Sequence, residues 1–354
     1  NLLEALVFVS ASDSNKLDNE FLVSRGLRVT KPELMRSSFN KNNIDRNINV
    51  NINNKKYVFS HENYEYFGWE DNSLEYLENQ ATLSLNHFDE YVKLISKAEE
   101  LVDSKNNTQL KELNLKMKNL DNKIRNHEKF NPDFELINFL IYSPENTALR
   151  TFEKEGQIQP LGINGEGLLK LLKVVNSYED KSYINTIIES LQLFDWFEDI
   201  TIPDSLSSGE DKVIIKDKYL QEEIDQRSTN EGFLFILFYI TLLVAKETPK
   251  AFAIDNIDAS LNLKLCTKLM KIITKLAKKY DKQIFLTTHN PAILDGMNLN
   301  DEEQKLFVVS RNKSGHTRMK NITVENKPKS SNDEPLKLSE AFLRGYLGGL
   351  PKGF

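Results

Sequence analysis

The sequence predicts an α/β fold with a mostly parallel central sheet, and three observations carry that reading. Two short apolar segments, Ala251-Phe-Ala-Ile254 and Gln283-Ile-Phe-Leu-Thr-Thr288, have the length and composition of buried strands. Between them an amphipathic segment from about Leu263 to Tyr280 is long enough to cross back over a sheet as a helix. Both strands run into polar residues, Asp255-Asn-Ile-Asp258 and His289-Asn-Pro291, and open α/β sheets hold ligands at the carboxyl ends of their parallel strands.

A chain of 354 residues with 40% hydrophobic content can bury one large core and carry an insertion. Its net charge of −6 argues against a surface that is attractive to polyanions everywhere, although a local basic patch is compatible with it. The one cysteine, Cys266, cannot form an internal disulfide, which fits a reducing, cytoplasmic setting. The longest apolar run, Phe233 to Ala245, falls short of the roughly 20 residues a membrane helix needs and is expected to be a core helix, stopped by Pro249.

In chain order, Asn1 to about Ser10 is expected to be helical. Ser12 to Asn54 is rich in Asn, Ser and Lys and is expected to be loop-like, with strand pieces near Phe21 to Val29 and Ile48 to Ile52. Lys55 to Phe59 should pair with the second piece around a turn at Asn53-Asn54. From Ser73 to Phe130 the chain is helical and charged. Leu110, Leu113, Met117, Leu120 and Ile124 repeat with a coiled-coil period, as do Phe88, Tyr91, Ile95, Ala98 and Val102 one helix earlier. That predicts a short helical hairpin about Lys105-Asn-Asn107, serving either to dock a partner or cap a dimer, or packing on the core.

Phe134 to Tyr142 reads as a strand returning to the sheet. Gly162-Ile-Asn-Gly165-Glu-Gly167-Leu168-Leu169 imitates a phosphate loop, but leucines stand where a lysine and a magnesium-binding hydroxyl are required. It is expected to be a turn into an amphipathic helix from Leu168 to Val175. Helical segments should run from Tyr183 to Phe197, with Trp196 and Phe197 in the core. Lys305 to Ser310 and Thr317 to Val324 should form a hairpin around Lys313-Ser-Gly315, and the aromatic tail from Ala341 should dock on the core or on a partner.

The polar turn Ser228-Thr229-Asn230-Glu231-Gly232 opens the apolar helix, and Asp255, Ala259-Ser-Leu-Asn262 and His289 follow in that order. This order resembles the nucleotide-binding domain of the ABC-type ATPases, in particular the bacterial branch with SMC-like, RecF-like, OLD-like and anti-phage defence AAA-family ATPases. The resemblance covers most of the chain. It implies that Ser228 to Gly232 is the signature motif, Asp255 the Walker B aspartate and Mg2+ ligand, Ala259 to Asn262 the D-loop, and His289 the switch histidine. Leu206-Ser-Ser-Gly-Glu210 also reads like the signature, but a strand-like alternation follows it instead of a helix. The phosphate-contacting residues are expected among Ser228, Thr229, Asn230, Glu231, Gly232 and Asn262, with either Thr229 and Asn230 or Gly232 taking the glycine places of the signature.

The resemblance also divides the chain into residues 1–72, the first part of the ATPase domain with an antiparallel β-subdomain; 73–130, the helical insertion; 131–324, the second part with the motifs; and 325–354, linker and tail. It places the phosphate loop just before Asn1. ATP and Mg2+ are the implied cofactors, and a homodimer or higher homo-oligomer sandwiching ATP is the implied assembly. Asn256 departs from the usual Glu, and an amide cannot accept a proton from the attacking water near neutral pH. Either turnover is slow, or Asp258 serves as the base. The expected function is a regulator or scaffold of a separate nuclease effector protein in anti-phage defence. The alternative is an ATPase of DNA repair or chromosome maintenance acting on DNA directly, and a third reading is a non-enzymatic scaffold in which ATP is only structural.

Overall fold

The computed structural model describes residues 2–36, 43–52, 55–63, 68–72, 136, 138–151, 158–202, 212–329 and 336–348, with two isolated positions at 93 and 116. The expected helical hairpin, the turn at 53–54, the segment 206–210 and the end of the tail lie outside these residues. Two compact units emerge: residues 1–44 with 136–354, and residues 45–135.

The first unit is built around α7 (Glu231–Val244), whose residues are buried from Gly232 onward. A 14-residue helix that is apolar all round has no face for water and can persist only if it is packed on every side. Neighbours supply that packing: α4 (Asn146–Leu149), α5 (Leu168–Asn176), α6 (Ser182–Leu191) and α8 (Leu263–Lys279). At its amino end Phe233 meets Phe194, Trp196 and Phe197 at ring-centroid distances of 5.4, 5.2 and 5.4 Å. Each such ring contributes about 1.5–3 kcal/mol on burial. The helix ends at Val244, before Pro249.

The parallel sheet lies beside this helix. Its order is β4 (Ile141–Tyr142), β8 (Ala251–Ile254), β9 (Gln283–Leu286), and the register runs from Ala251 opposite Gln283 to Ile254 opposite Leu286. α8 makes the crossover between β8 and β9, burying Cys266, Leu269, Met270, Ile273 and Leu276. β8 is wholly buried, whereas β9, expected to be buried too, is half-exposed because β8 is its one strand neighbour among the described residues.

The remaining strands are antiparallel. β5 (Phe197–Thr201), β6 (Ile214–Asp217) and β7 (Ile224–Asp225) form one sheet, and β10 (Leu306–Arg311) and β11 (Thr317–Ile322) form the expected hairpin. The tail helix α10 (Leu338–Leu343) docks Leu338 and Ala341 against Leu294 and Ile322. In the second unit β1 (Ile48–Ile52) pairs with β2 (Lys55–Ser60), Ile48 opposite Phe59, and β2 with β3 (Glu70–Asp71).

Two expectations are corrected. Phe21 lies in a helix, α2 (Asn19–Ser24), because the Asp18 carboxylate accepts from the Phe21 N–H at 2.8 Å and starts a helical turn that the apolar Phe-Leu-Val run then continues. The helix after Tyr183 stops at Leu191, and Phe197 opens β5 instead. Pairing with β6, with a bulge between Phe197 and Asp199, overrides the local helical pattern there. α1 (Leu2–Asp13) and α3 (Pro32–Met35) complete the described helices outside the tail region, with the four-residue α9 (Pro291–Leu294) following β9.

Candidate functional site

β8 and β9 end side by side, and the residues after them are tied across the gap. The Thr287 N–H donates to the Ile254 carbonyl at 3.1 Å, and the Ile257 N–H returns to the Thr287 carbonyl at 3.1 Å. Asp255 and His289 therefore leave the same end of the sheet, as their positions in the sequence require. On the other edge, the Asp255 N–H donates to the Tyr142 carbonyl at 2.8 Å, fastening the aspartate to β4 as well.

Two threonines that the motif reading passed over organise this end. Thr287 Oγ1 donates to Asp255 Oδ1 at 2.5 Å and accepts from the Asn256 N–H at 2.9 Å. Thr288 Oγ1 donates to Asp258 Oδ1 at 2.5 Å and accepts from the Asn290 N–H at 2.9 Å. Each hydroxyl thus joins a carboxylate on one strand end to a backbone amide, using both its donor and an acceptor lone pair. Paired hydroxyls immediately before a histidine were the signal in the sequence.

Asn256 is exposed and has φ +54°. Asparagine is among the few residues that tolerate this left-handed region. Asp258 sits close enough to buried Tyr239 and Cys266 to influence both. Burial first and Asp258 second push the Tyr239 hydroxyl above its ordinary range and the Cys266 thiol up to about 11. His289 is exposed, and Asn290 behind it caps α9 by accepting from the Ala292 N–H at 3.0 Å.

The turn at 228–232 is the second half of the site. Ser228 is exposed, and its N–H is held by Asp225 Oδ1 at 3.2 Å. Thr229 faces inward, its hydroxyl donating to the Asp225 carbonyl at 2.8 Å. Asn230 caps α7 by accepting from the Phe233 N–H at 3.3 Å, so among the first-turn amides those of Glu231 and Gly232 have no partner within the helix. Asn262 caps α8 in the same way, accepting from the Leu265 N–H at 2.9 Å. Four of the expected phosphate contacts are thereby sorted by geometry. Ser228 presents its side chain outward, Thr229 does not, and Asn230 and Asn262 spend their side-chain oxygens on caps.

Glu231 connects this turn to the segment after Asp255. Its Oε1 accepts from Ser260 Oγ at 2.5 Å, and a Cβ on Gly232 would stand 3.0 Å from the Ser260 carbonyl oxygen. Glycine at 232 is what lets the start of α7 lie against that backbone. The structure so joins Asp255, Asn256 and Asp258 to the two threonines that precede His289, and the 228–232 turn to Ser260 through Glu231.

A hard cation such as Mg2+ favours oxygen donors and takes few of them from protein when phosphates and water complete its shell. Asp255 with the Thr287 hydroxyl fits that donor chemistry, and among the described residues no cluster of three His, Cys, Asp or Glu forms an all-protein metal cage. No helix among them is long and apolar enough to cross a membrane.

A family model described as "AAA domain, putative AbiEii toxin, Type IV TA system" matches residues 1–295. No curated protein matches the chain. Among solved structures, one from a study titled as the structural biochemistry of ATP-driven dimerization and DNA-stimulated activation of SMC ATPases is 14% identical, with a TM-score of 0.36, over 51% of this chain and 99% of that one. A second, the Smc head domain with an extended coiled coil bound to the C-terminal domain of ScpA from Pyrococcus furiosus, is 13% identical, with a TM-score of 0.33, over 70% of this chain and 53% of that one.

Proposed function

The chain belongs to this AAA-domain family, and from that premise we propose that it binds ATP at the β8–β9 strand ends and closes as a homodimer around it. In this reading the turn of one protomer, with the Ser228 hydroxyl and the Glu231 and Gly232 amides, caps the γ-phosphate of ATP held by the other. A helix amino end suits that task because its unpaired amides and dipole favour an anion. The observation that carries the proposal is the joint anchoring of Asp255, Asn256, Asp258 and Asn290 by Thr287 and Thr288 at one sheet end. Bound Mg2+ would neutralise phosphate charge, with Asp255 as its protein ligand.

Turnover is slow in this proposal. Asn256 occupies the place of the base, and Asp258 is committed to Thr288, so it serves as a brace rather than as a substitute. ATP then acts chiefly as a clamp that stabilises the closed state, by its greater affinity for the dimer. The clamp would regulate a separate nuclease effector, and the family's description as a toxin of a toxin–antitoxin system supports a place in a defence module. The test is sedimentation of the purified full-length protein with ATP, with ADP and without nucleotide, followed by co-expression with nucleases encoded beside it. A dimer specific to ATP and a co-eluting nuclease are expected; a chain that stays monomeric with ATP rules the clamp out.

A second reading, direct action on DNA, has one observation in its favour. The hairpin region 305–322 carries exposed Lys305, Arg311, Lys313, Arg318 and Lys320 and no acidic residue, within a chain of net charge −6. Phosphate contacts by such a hairpin would make binding fall steeply with salt. Fluorescence anisotropy with a duplex at two salt concentrations separates the readings, since salt-independent or absent binding removes the second.

A further inference from the structure

Arg150 holds the turn that leads into Ser228 to Gly232 and follows the end of β4 by eight residues. It follows α4 directly and sends out four hydrogen bonds. Its Nε donates to Asn146 Oδ1 at 2.9 Å, Nη1 to the carbonyls of Gln226 at 2.8 Å and Arg227 at 2.6 Å, and Nη2 to the carbonyl of Thr229 at 2.9 Å. Three carbonyl oxygens of one turn thus converge on one guanidinium. Oxygens so gathered repel one another unless a cation lies between them, so the guanidinium fixes the orientation of the peptide planes that lead into Ser228 to Gly232.

The other end of the connection runs through the chain. The Tyr142 carbonyl at the end of β4 accepts from the Asp255 N–H at 2.8 Å, and Ser143 to Leu149 lead from there straight to Arg150. One hydrogen bond and the segment Ser143 to Leu149 thus link the strand end that carries Asp255 to the residue that holds the turn. The turn is also held from beneath, where buried Gln226 accepts from the Val213 N–H at 2.9 Å and donates its own N–H to the Val213 carbonyl at 3.1 Å. That support keeps the turn folded when the guanidinium is altered, leaving orientation as the property specific to Arg150.

We propose that Arg150 is a positioning residue that couples the Asp255 strand end within a protomer to the 228–232 turn which that protomer offers to a second copy. The inference rests on the ATP-clamp reading and adds to it the element that lets nucleotide at one half-site set the other. Lysine cannot replace it, because a point charge on a flexible stem cannot hold three carbonyls in a planar fork.

The test compares the full-length wild type with Arg150→Lys and with the milder Asn146→Ala, which frees Nε alone. Three quantities are read: the thermal midpoint, affinity for a fluorescent non-hydrolysable ATP analogue in dilute monomer, and the ATP-dependent dimerisation constant by sedimentation. In Arg150→Lys, analogue affinity should stay within about twofold while dimerisation weakens by about tenfold or more, with Asn146→Ala in between. Amide exchange at 228–232 should quicken in the same variant while that of the carboxyl half of α7 is unchanged. Dimerisation equal to wild type, or dimerisation and analogue affinity falling in the same proportion, overturns the coupling role. If the wild type itself does not dimerise with ATP, the clamp reading falls and this proposal with it; a variant that dimerises normally beside a competent wild type refutes this proposal alone.

Discussion

Single residues decide most of the chemistry at the strand ends, and three substitutions test them. Asn256→Glu should raise ATP turnover by about tenfold or more if the missing base limits the reaction, as general bases typically contribute 10²–10⁴-fold. Because φ at 256 is +54°, the same change should also lower stability by about 1 kcal/mol. A variant with unchanged turnover and intact folding would show that the base is not what limits the rate. Thr287→Val, which removes both hydrogen bonds of that hydroxyl, should cost about 1–3 kcal/mol of stability and weaken Mg2+-dependent nucleotide binding; equal nucleotide affinity would remove Asp255 positioning from the account. The Tyr239 hydroxyl is buried and has no hydrogen-bond partner among the described residues, so Tyr239→Phe should leave the thermal midpoint unchanged or raise it. A clear drop would mean that this hydroxyl is satisfied in solution. That Asp255, Asp258 and His289 leave one end of the sheet could be read from the sequence because each follows a short apolar run, whereas the contacts of Arg150 could not. Three of its four hydrogen bonds go to carbonyls 76 to 79 residues away, and no side-chain pattern records a main-chain acceptor.

At the scale of elements, the long buried segments were the legible ones. α7, β8 and α8 follow from composition alone, since a continuous apolar run, a short apolar run and a lysine-studded amphipathic stripe each permit few structures. Short elements were decided elsewhere. α2 turned on one capping carboxylate, and β5 on a strand partner that follows it in the chain. The carboxyl end of α7 carries its own pH signature. Lys282 Nζ donates to the carbonyls of Ala245, Thr248 and Pro249 at 3.2, 2.8 and 3.1 Å, while burial first and repulsion from Lys250 second push its ammonium down to about 8. An unfolded lysine titrates near 10.4, so between about pH 8 and 10.4 the unfolded chain binds more protons than the folded one. This residue's contribution to stability therefore rises as pH climbs through that window. Urea unfolding across it should show the rise, and Lys282→Met should flatten it; identical slopes in the two proteins would contradict the assignment.

For the whole molecule, the order of motifs indicated the α/β architecture, and the parallel β4-β8-β9 sheet with its separate antiparallel sheets has that form. What the order could not fix is whether two copies share one site, because residues that would meet across a dimer have no spacing in a single chain. A complementation measurement addresses that directly. Ser228→Arg spoils only the turn and Asp255→Ala only the strand end, so each variant alone should turn ATP over at background. Mixed in equal amounts, they should recover about a quarter of the wild-type rate, since about half of randomly formed dimers would be mixed and each of those would hold one intact composite site. A mixture no more active than its two components would contradict a site shared between protomers.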